Sequence, residues 1–155
     1  MSPPRAIDHE LIWLRATDGF VLGAGSLHGP AHWRRVESNG LSIGARTGAD
    51  PDVVRLFAAL HDACREDEEI DPDHGRRGAA FARRLWNEAY ELEYERFALL
   101  EYAICYHAKG LRSEDATIGT CWDADRLDLP RVGIWPDPER LCTDTAREML
   151  ALLER

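Results

Sequence analysis

The stretch FAALHDACRED, Phe57 to Asp67, decides how this chain is read, because it sets a histidine and an aspartate side by side at the end of an apolar run. A buried polar pair is costly unless hydrogen bonds or a metal ion satisfy it. Just upstream, Asp50-Pro51 reads as an N-cap followed by a first-turn proline, opening the helix PDVVRLFAALHDAC. Val53, Val54, Leu56, Phe57 and Leu60 make that helix apolar on almost every face, which marks it as central and buried. His61 and Asp62 therefore fall at its C-terminal end, close to the core.

The same punctuation continues on both sides. Pro30 starts a helix running to about Gly48, where a glycine stop is expected. Asp71-Pro72 repeats the start signal and opens DHGRRGAAFARRLW, with Gly78, Phe81, Ala82 and Leu85 on its apolar side. YERFALLEYAICYH carries Phe97, Leu100 and Ile104 at helical spacing, with His107 next in the stripe and Lys109-Gly110 as the stop. ATIGTCWDADRLD gives another helix, and DTAREMLALLER a C-terminal amphipathic one. FVLGAG is the one strand candidate, and it is short. The expectation is an all-α fold.

A length of 155 residues fits one domain, and 45% apolar with 30% charged residues describes a soluble chain with no run approaching a bilayer span. Asp8, His9 and Glu10 stand where a signal peptide needs apolar residues, so a cytoplasmic location without membrane attachment is expected. A net charge of −9 argues against long nucleic acid as partner but leaves room for small anions where arginines cluster. Cys64, Cys105, Cys121 and Cys142 are widely spaced and read as reduced, buried apolar residues, not as thiolate zinc ligands. Trp13, Trp33, Trp86 and Trp135 read as packing residues. The oligomeric state is left open.

The ionisable residues are more telling. His32 lies in the first turn of its helix, His61 shares a face with Val54, Phe57 and Ala58, and His74 lies in a first turn after Asp71-Pro72. His107 extends the Leu100–Ile104 stripe, and Asp125 falls on the face of Ile118, Cys121 and Trp122 while Asp123 points elsewhere. A lone inward histidine is ordinarily a hydrogen-bonded core residue. Five helices each aiming an imidazole or carboxylate inward call for a metal. Imidazole and carboxylate donors without thiolates suit manganese, iron, zinc, nickel or cobalt.

Three motifs carry a resemblance. HGPAHWRRV resembles the H-D-x-x-H-x-x-R-V opening of small bacterial HD-domain hydrolases, LHDACR their L-H-D-x-x-K signature, and DADRLD their D-A-D-R-L-D closing motif. They run in the order H…HD…D, from His28 to about Gly133. The resemblance implies an HD-domain helical bundle in which His32, His61, Asp62 and Asp125 bind one divalent metal. His74, in an HG pair, and His107 resemble the additional histidines of the two-metal branch of that family, so one or two ions per chain are expected. Gly29 stands where that family often has an aspartate, and no GYP element follows, which disfavours a cyclic-dinucleotide substrate.

The activity that the resemblance implies is metal-dependent hydrolysis of a nucleotide or other small phosphoester. Asp62 would bind metal through one oxygen and orient water through the other. Arg65 falls where the family often has a lysine that contacts phosphate. His28, one turn from His32, together with Arg76, Lys109 and Arg126, are further substrate-binding candidates. The acidic run REDEEIDPD is expected to be an exposed connection bordering the site. Two alternatives differ in class: an HD-fold di-iron oxygenase, and a non-catalytic metal-stabilised sensing or interaction module.

Overall fold

Asp50 accepts hydrogen bonds from the main-chain N–H groups of Asp52 and Val53, and so starts the helix over Pro51–Leu60 that the apolar run marks as central. The structure, a computed structural model, describes Pro3 and residues 5–153. Among them the elements are α1 (His9–Gly19), α2 (Pro30–Thr47), α3 (Pro51–Leu60), α4 (His74–Leu85), α5 (Tyr94–Tyr106), α6 (Ala116–Arg126) and α7 (Asp144–Leu153). Two short 3-10 turns, Leu129–Val132 and Pro138–Arg140, lie between α6 and α7. No strand is present among the described residues, and the fold is all-α.

α3 packs against α1, α2, α4, α5 and α6, and its Val53, Val54, Leu56, Phe57 and Leu60 are fully buried. Burial of such side chains contributes about 1.5–3 kcal/mol each. That is ample to hold a polar pair in the interior at the helix end, where each unsatisfied group costs about 1–3 kcal/mol. His61 is the C-cap of α3, and Asp62 follows it into a turn.

Several sequence expectations hold. α2 starts at Pro30 and stops at Gly48, which takes the left-handed conformation at φ +79°. α5 brings His107 to its C-cap but ends at Tyr106, ahead of the expected Lys109-Gly110 stop, and Gly110 takes a positive φ in the turn that follows. Others need correction. α1 has no counterpart in the sequence reading, although Asp8 caps it by accepting from the Leu11 N–H. FVLGAG forms turns, because Phe20 caps α1 and is buried while Gly23 takes a positive φ. Asp71-Pro72 is not the cap of α4. The N-cap is Asp73, which makes no side-chain cap bond, and the Asp71 carboxylate instead accepts from the Glu66 N–H and from Arg77. Residues 154–155, expected in the last helix, lie outside the described residues.

Of the tryptophans, Trp33 is fully buried, Trp13 packs against the core, and Trp86 stacks on Phe97 at 4.0 Å between ring centres. Trp135 is half exposed, contrary to its reading as a packing residue. The α4–α5 packing bears directly on the site. A Cβ added at Gly75 would lie 2.6 Å from the Cys105 carbonyl oxygen, so only glycine lets the start of α4 approach the end of α5 this closely. That approach sets His74 against His107.

Candidate metal centre

Five helices deliver six ionisable side chains to one place. His32 comes from the first turn of α2, His61 and His107 from the C-caps of α3 and α5, His74 from the first residue of α4, and Asp125 from the last turn of α6. Asp62 follows directly on the end of α3. The C-terminal ends of α3, α5 and α6 meet the N-terminal ends of α2 and α4 here, so three negative helix ends face two positive ones and the balance favours a cation.

The imidazoles are held in one orientation. Nδ1 of His61 donates to the carbonyls of Phe57 and Ala58, Nδ1 of His74 to Asp71, and Nδ1 of His107 to Ile104. Nδ1 of His32 donates to the Asp128 carboxylate at 2.6 Å. These acceptors take only a proton-bearing nitrogen, so every Nε2 is left facing the cluster.

Those Nε2 atoms converge with two carboxylates. His32 Nε2 lies 3.1 Å from His61 Nε2 and 3.1 Å from Asp125 Oδ1, and His61 Nε2 lies 3.4 Å from the same oxygen. Asp62 Oδ2 stands 3.4 Å from His32 Nε2 and 3.5 Å from His61 Nε2. Its other oxygen, Oδ1, stands 3.3 Å from His74 Nε2 and 3.2 Å from His107 Nε2, which are 3.0 Å from each other. Asp62 thus faces one histidine pair with each oxygen.

These side chains fit a metal. Donor atoms bound at about 2.0–2.2 Å to one ion are separated by roughly 3.0–3.4 Å in octahedral or tetrahedral arrangements. Two pairs of imidazole nitrogens facing each other at 3.0–3.1 Å also repel unless a cation or a proton lies between them. His32 shows the second case. Burial opposes its charge, but hydrogen bonds to Asp125, Asp128 and Asp62 push its pKa up to about 10. Asp62 and Asp125 are held well below the usual carboxylate range by the surrounding imidazoles, against the cost of burial. The site therefore demands positive charge, and a proton supplies it when no metal does.

The cluster opens into a cavity of about 500 Å³. His28, Arg65 and Arg126, expected at the substrate, line it. Arg76 and Lys109 do not: Arg76 is exposed and pairs with Asp73 at 3.6 Å, and Lys109 donates to the Pro72 carbonyl. His28 is held below its ordinary pKa by burial; its Nε2 donates to the Glu68 carbonyl at 2.8 Å. Arg65 donates to the carbonyls of Asp67 and Glu69, and its Nη1 lies 3.4 Å from His74 Nε2. The acidic connection is exposed and borders the cavity, as expected, fastened through its main chain.

Asp123 points away from the cluster, as its phase on α6 implies, and is fully buried there, where burial raises its pKa and its carboxylate accepts from Cys142 N–H, Thr143 N–H and the Thr143 hydroxyl ahead of α7. Sequence reasoning missed Asp128, Arg131 and Arg140. Asp128 is the last residue of DADRLD, three positions beyond Asp125, and that spacing is the signal that could have found it.

No protein-family model and no curated protein matches the chain. Among solved structures, a predicted HD superfamily hydrolase from an uncultured Thermotogales bacterium matches with a TM-score of 0.74 and 28% identity, over 92% of this chain and 82% of that one. The chain resembles that protein in fold and itself carries clusters of potential metal ligands, which together support a metal-dependent hydrolase.

Proposed function

We propose that this chain, with its HD-superfamily fold, is a metal-dependent phosphohydrolase acting on a small phosphoester. One observation carries the reading: Asp62 directs Oδ2 to the His32–His61 pair and Oδ1 to the His74–His107 pair, all within 3.2–3.5 Å. His32, His61, Asp62 and Asp125 would hold one divalent ion, and Asp62, His74 and His107 a second. Bound there, such ions polarise a phosphoryl oxygen and lower the pKa of water.

The chain's own groups supply the rest. Where only the His32–His61 pair holds an ion, Asp62 Oδ1, between His74 and His107, is the acceptor placed to orient an attacking water and take its proton; with a second ion held, that oxygen would serve as a ligand instead. Arg65, beside His74, offers positive charge to the phosphoryl oxygens as negative charge develops on them. His28 links Arg131 to the Glu68 carbonyl and so positions the connection that borders the cavity.

The test is metal analysis of protein purified without added metal, then turnover on a phosphoester panel. Two ions per chain with metal-dependent hydrolysis, lost in Asp62→Ala and weakened in Arg65→Ala, is the expected result. A well-folded, metal-loaded protein that turns over no phosphoester would sink it. The convergence of His74 and His107 on Asp62 also favours one second reading, a di-iron oxygenase on the same fold. Visible absorption from an iron pair, with dioxygen consumption and no hydrolysis, would select that reading.

A further inference from the structure

We infer that the substrate carries a second anionic group, a phosphoryl or a carboxylate, on a small organic body. The inference rests on the hydrolytic reading above and concerns the rest of the same cavity.

Carboxylates are abundant in this chain, with 28 acidic residues against 19 lysines and arginines. Arginines elsewhere find them readily. Arg15, Arg46, Arg77, Arg83, Arg96 and Arg147 each lie 2.5–2.8 Å from a carboxylate oxygen. The four arginines lining the cavity are different. Arg65 is held by the carbonyls of Asp67 and Glu69, and Arg126 by those of Arg140 and Leu111. Arg131 is held by the carbonyls of Leu27 and Asp128, with the Asp128 carboxylate no closer than 4.0 Å. Among the described carboxylates Arg140 reaches only Asp137, also at 4.0 Å. A carbonyl fixes a guanidinium in place but leaves its charge intact. Glu68 and Glu69 also line the cavity, with exposed side chains that make no ion pair to these arginines.

The cavity's own carboxylates are Asp62 and Asp125, turned to the histidine cluster, and the exposed Glu68 and Glu69. Among the described residues none of the four guanidiniums has a carboxylate closer than 4.0 Å, so an entering anion finds them available. Their distribution separates two tasks. Arg65 stands at the metal end, 3.4 Å from His74, and serves the phosphoryl group being cleaved. Arg126 and Arg140 are anchored elsewhere in the lining, Arg126 on the Arg140 and Leu111 carbonyls and Arg140 with Nη1 over Gly110, 3.0 Å from the place of a Cβ. Arg126 already anchors the Arg140 and Leu111 carbonyls, but a single phosphoryl group beside His74 leaves the charge of Arg140 without a role. Leu129, Val132 and Ile134 line the same cavity and offer an apolar wall for the organic body.

Calorimetric titration of the metal-loaded protein with propylphosphonate, 3-phosphonopropionate and propane-1,3-bisphosphonate tests this, since none of the three can be hydrolysed. At least one two-anion ligand should bind about tenfold more tightly than propylphosphonate, as one added charge-assisted contact provides. The tighter of the two identifies the second group as carboxylate or phosphoryl. Arg140→Gln, on an exposed side chain, should remove most of that advantage. Arg126→Gln should do the same but also removes two main-chain hydrogen bonds, so Arg140→Gln is the decisive variant. Equal affinity for all three ligands, or an advantage untouched by Arg140→Gln, overturns the inference. A two-anion preference without turnover of any phosphoester would instead sink the hydrolytic reading and leave the two-anion ligand standing.

Discussion

His32 Nδ1 and Asp128 Oδ2 lie 2.6 Å apart, joining residues 96 positions apart in the chain. Asp128 is itself held by Arg35, whose Nε donates to its other oxygen at 2.7 Å. Although burial works against it, these two partners keep Asp128 below the ordinary carboxylate range. It is therefore an ionised acceptor that fixes His32 with Nε2 toward the cluster. Asp128→Asn should weaken metal binding by about 10- to 100-fold while the fold is retained. A competition titration against a chelating dye, with circular dichroism as control, measures it; unchanged affinity would make the contact merely structural.

Metal binding should release protons at neutral pH. His32 in the ion-free protein keeps its proton up to about pH 10, and a ligand must lose it. Affinity should therefore rise by roughly tenfold per pH unit from this group alone as pH rises toward about 10, and level off above it. Ion-free stability runs the opposite way. The folded pKa is raised, so the contribution of His32 is fully present below about 6.5 and is lost as pH rises through about 10. Denaturant unfolding in chelator across that range should show the decline, and the metal-loaded protein should not.

Asp125→Ala and Asp123→Ala should fail in different ways. The first removes an oxygen 3.1 Å from His32 Nε2 and should cost metal and activity. The second breaks three hydrogen bonds that anchor Cys142 and Thr143, leaving metal stoichiometry intact in the folded fraction. A loss of about 2–4 kcal/mol in stability is expected from buried donors left unpaired. Urea midpoints and metal counts on both variants separate the two roles.

Gly75→Ala should loosen the second histidine pair before the first. Its Cβ would meet main chain at Cys105, which cannot swing aside as a side chain can, so α4 must shift from α5. A destabilisation of about 1–3 kcal/mol is expected. Native mass spectrometry should show the metal count falling from two toward one, with the ion at His32 and His61 retained. Two ions bound at wild-type affinity would show that the approach is not what sets His74.

The central helix and its terminal His61–Asp62 pair were legible because apolar periodicity and the Asp-Pro start both act locally. The six clustered side chains shared that legibility, each being an ionisable residue at an apolar helix end. The burial of Asp123 was not legible, because helical phase distinguishes the side facing the cluster from the other side but not a second interior from solvent. Ile43, Leu127, Leu141, Ala146 and Leu150 form that second interior beside it. Arg76 and Lys109 were drawn in by sequence proximity to His74 and His107, whereas Arg131 and Arg140 reach the cavity through a loop whose path no periodicity announces. α1 went unread although Asp8 caps it, because its inward residues His9, Ile12 and Ala16 make a weak apolar stripe.

The dispersal of the cluster over five helices has a consequence for how the protein comes into being on the ribosome. His32, His61, Asp62, His74 and His107 all emerge before α6, so four imidazoles and one carboxylate await their remaining partners while translation continues. Asp125, and Asp128 that orients His32, arrive only when most of the chain has been made. Contacts of such long sequence separation form late. A nascent chain that ends before α6 lacks Asp125 and Asp128, so its four imidazoles and one carboxylate form an incomplete cluster. The cluster is whole only once α6 and the turn after it have been made.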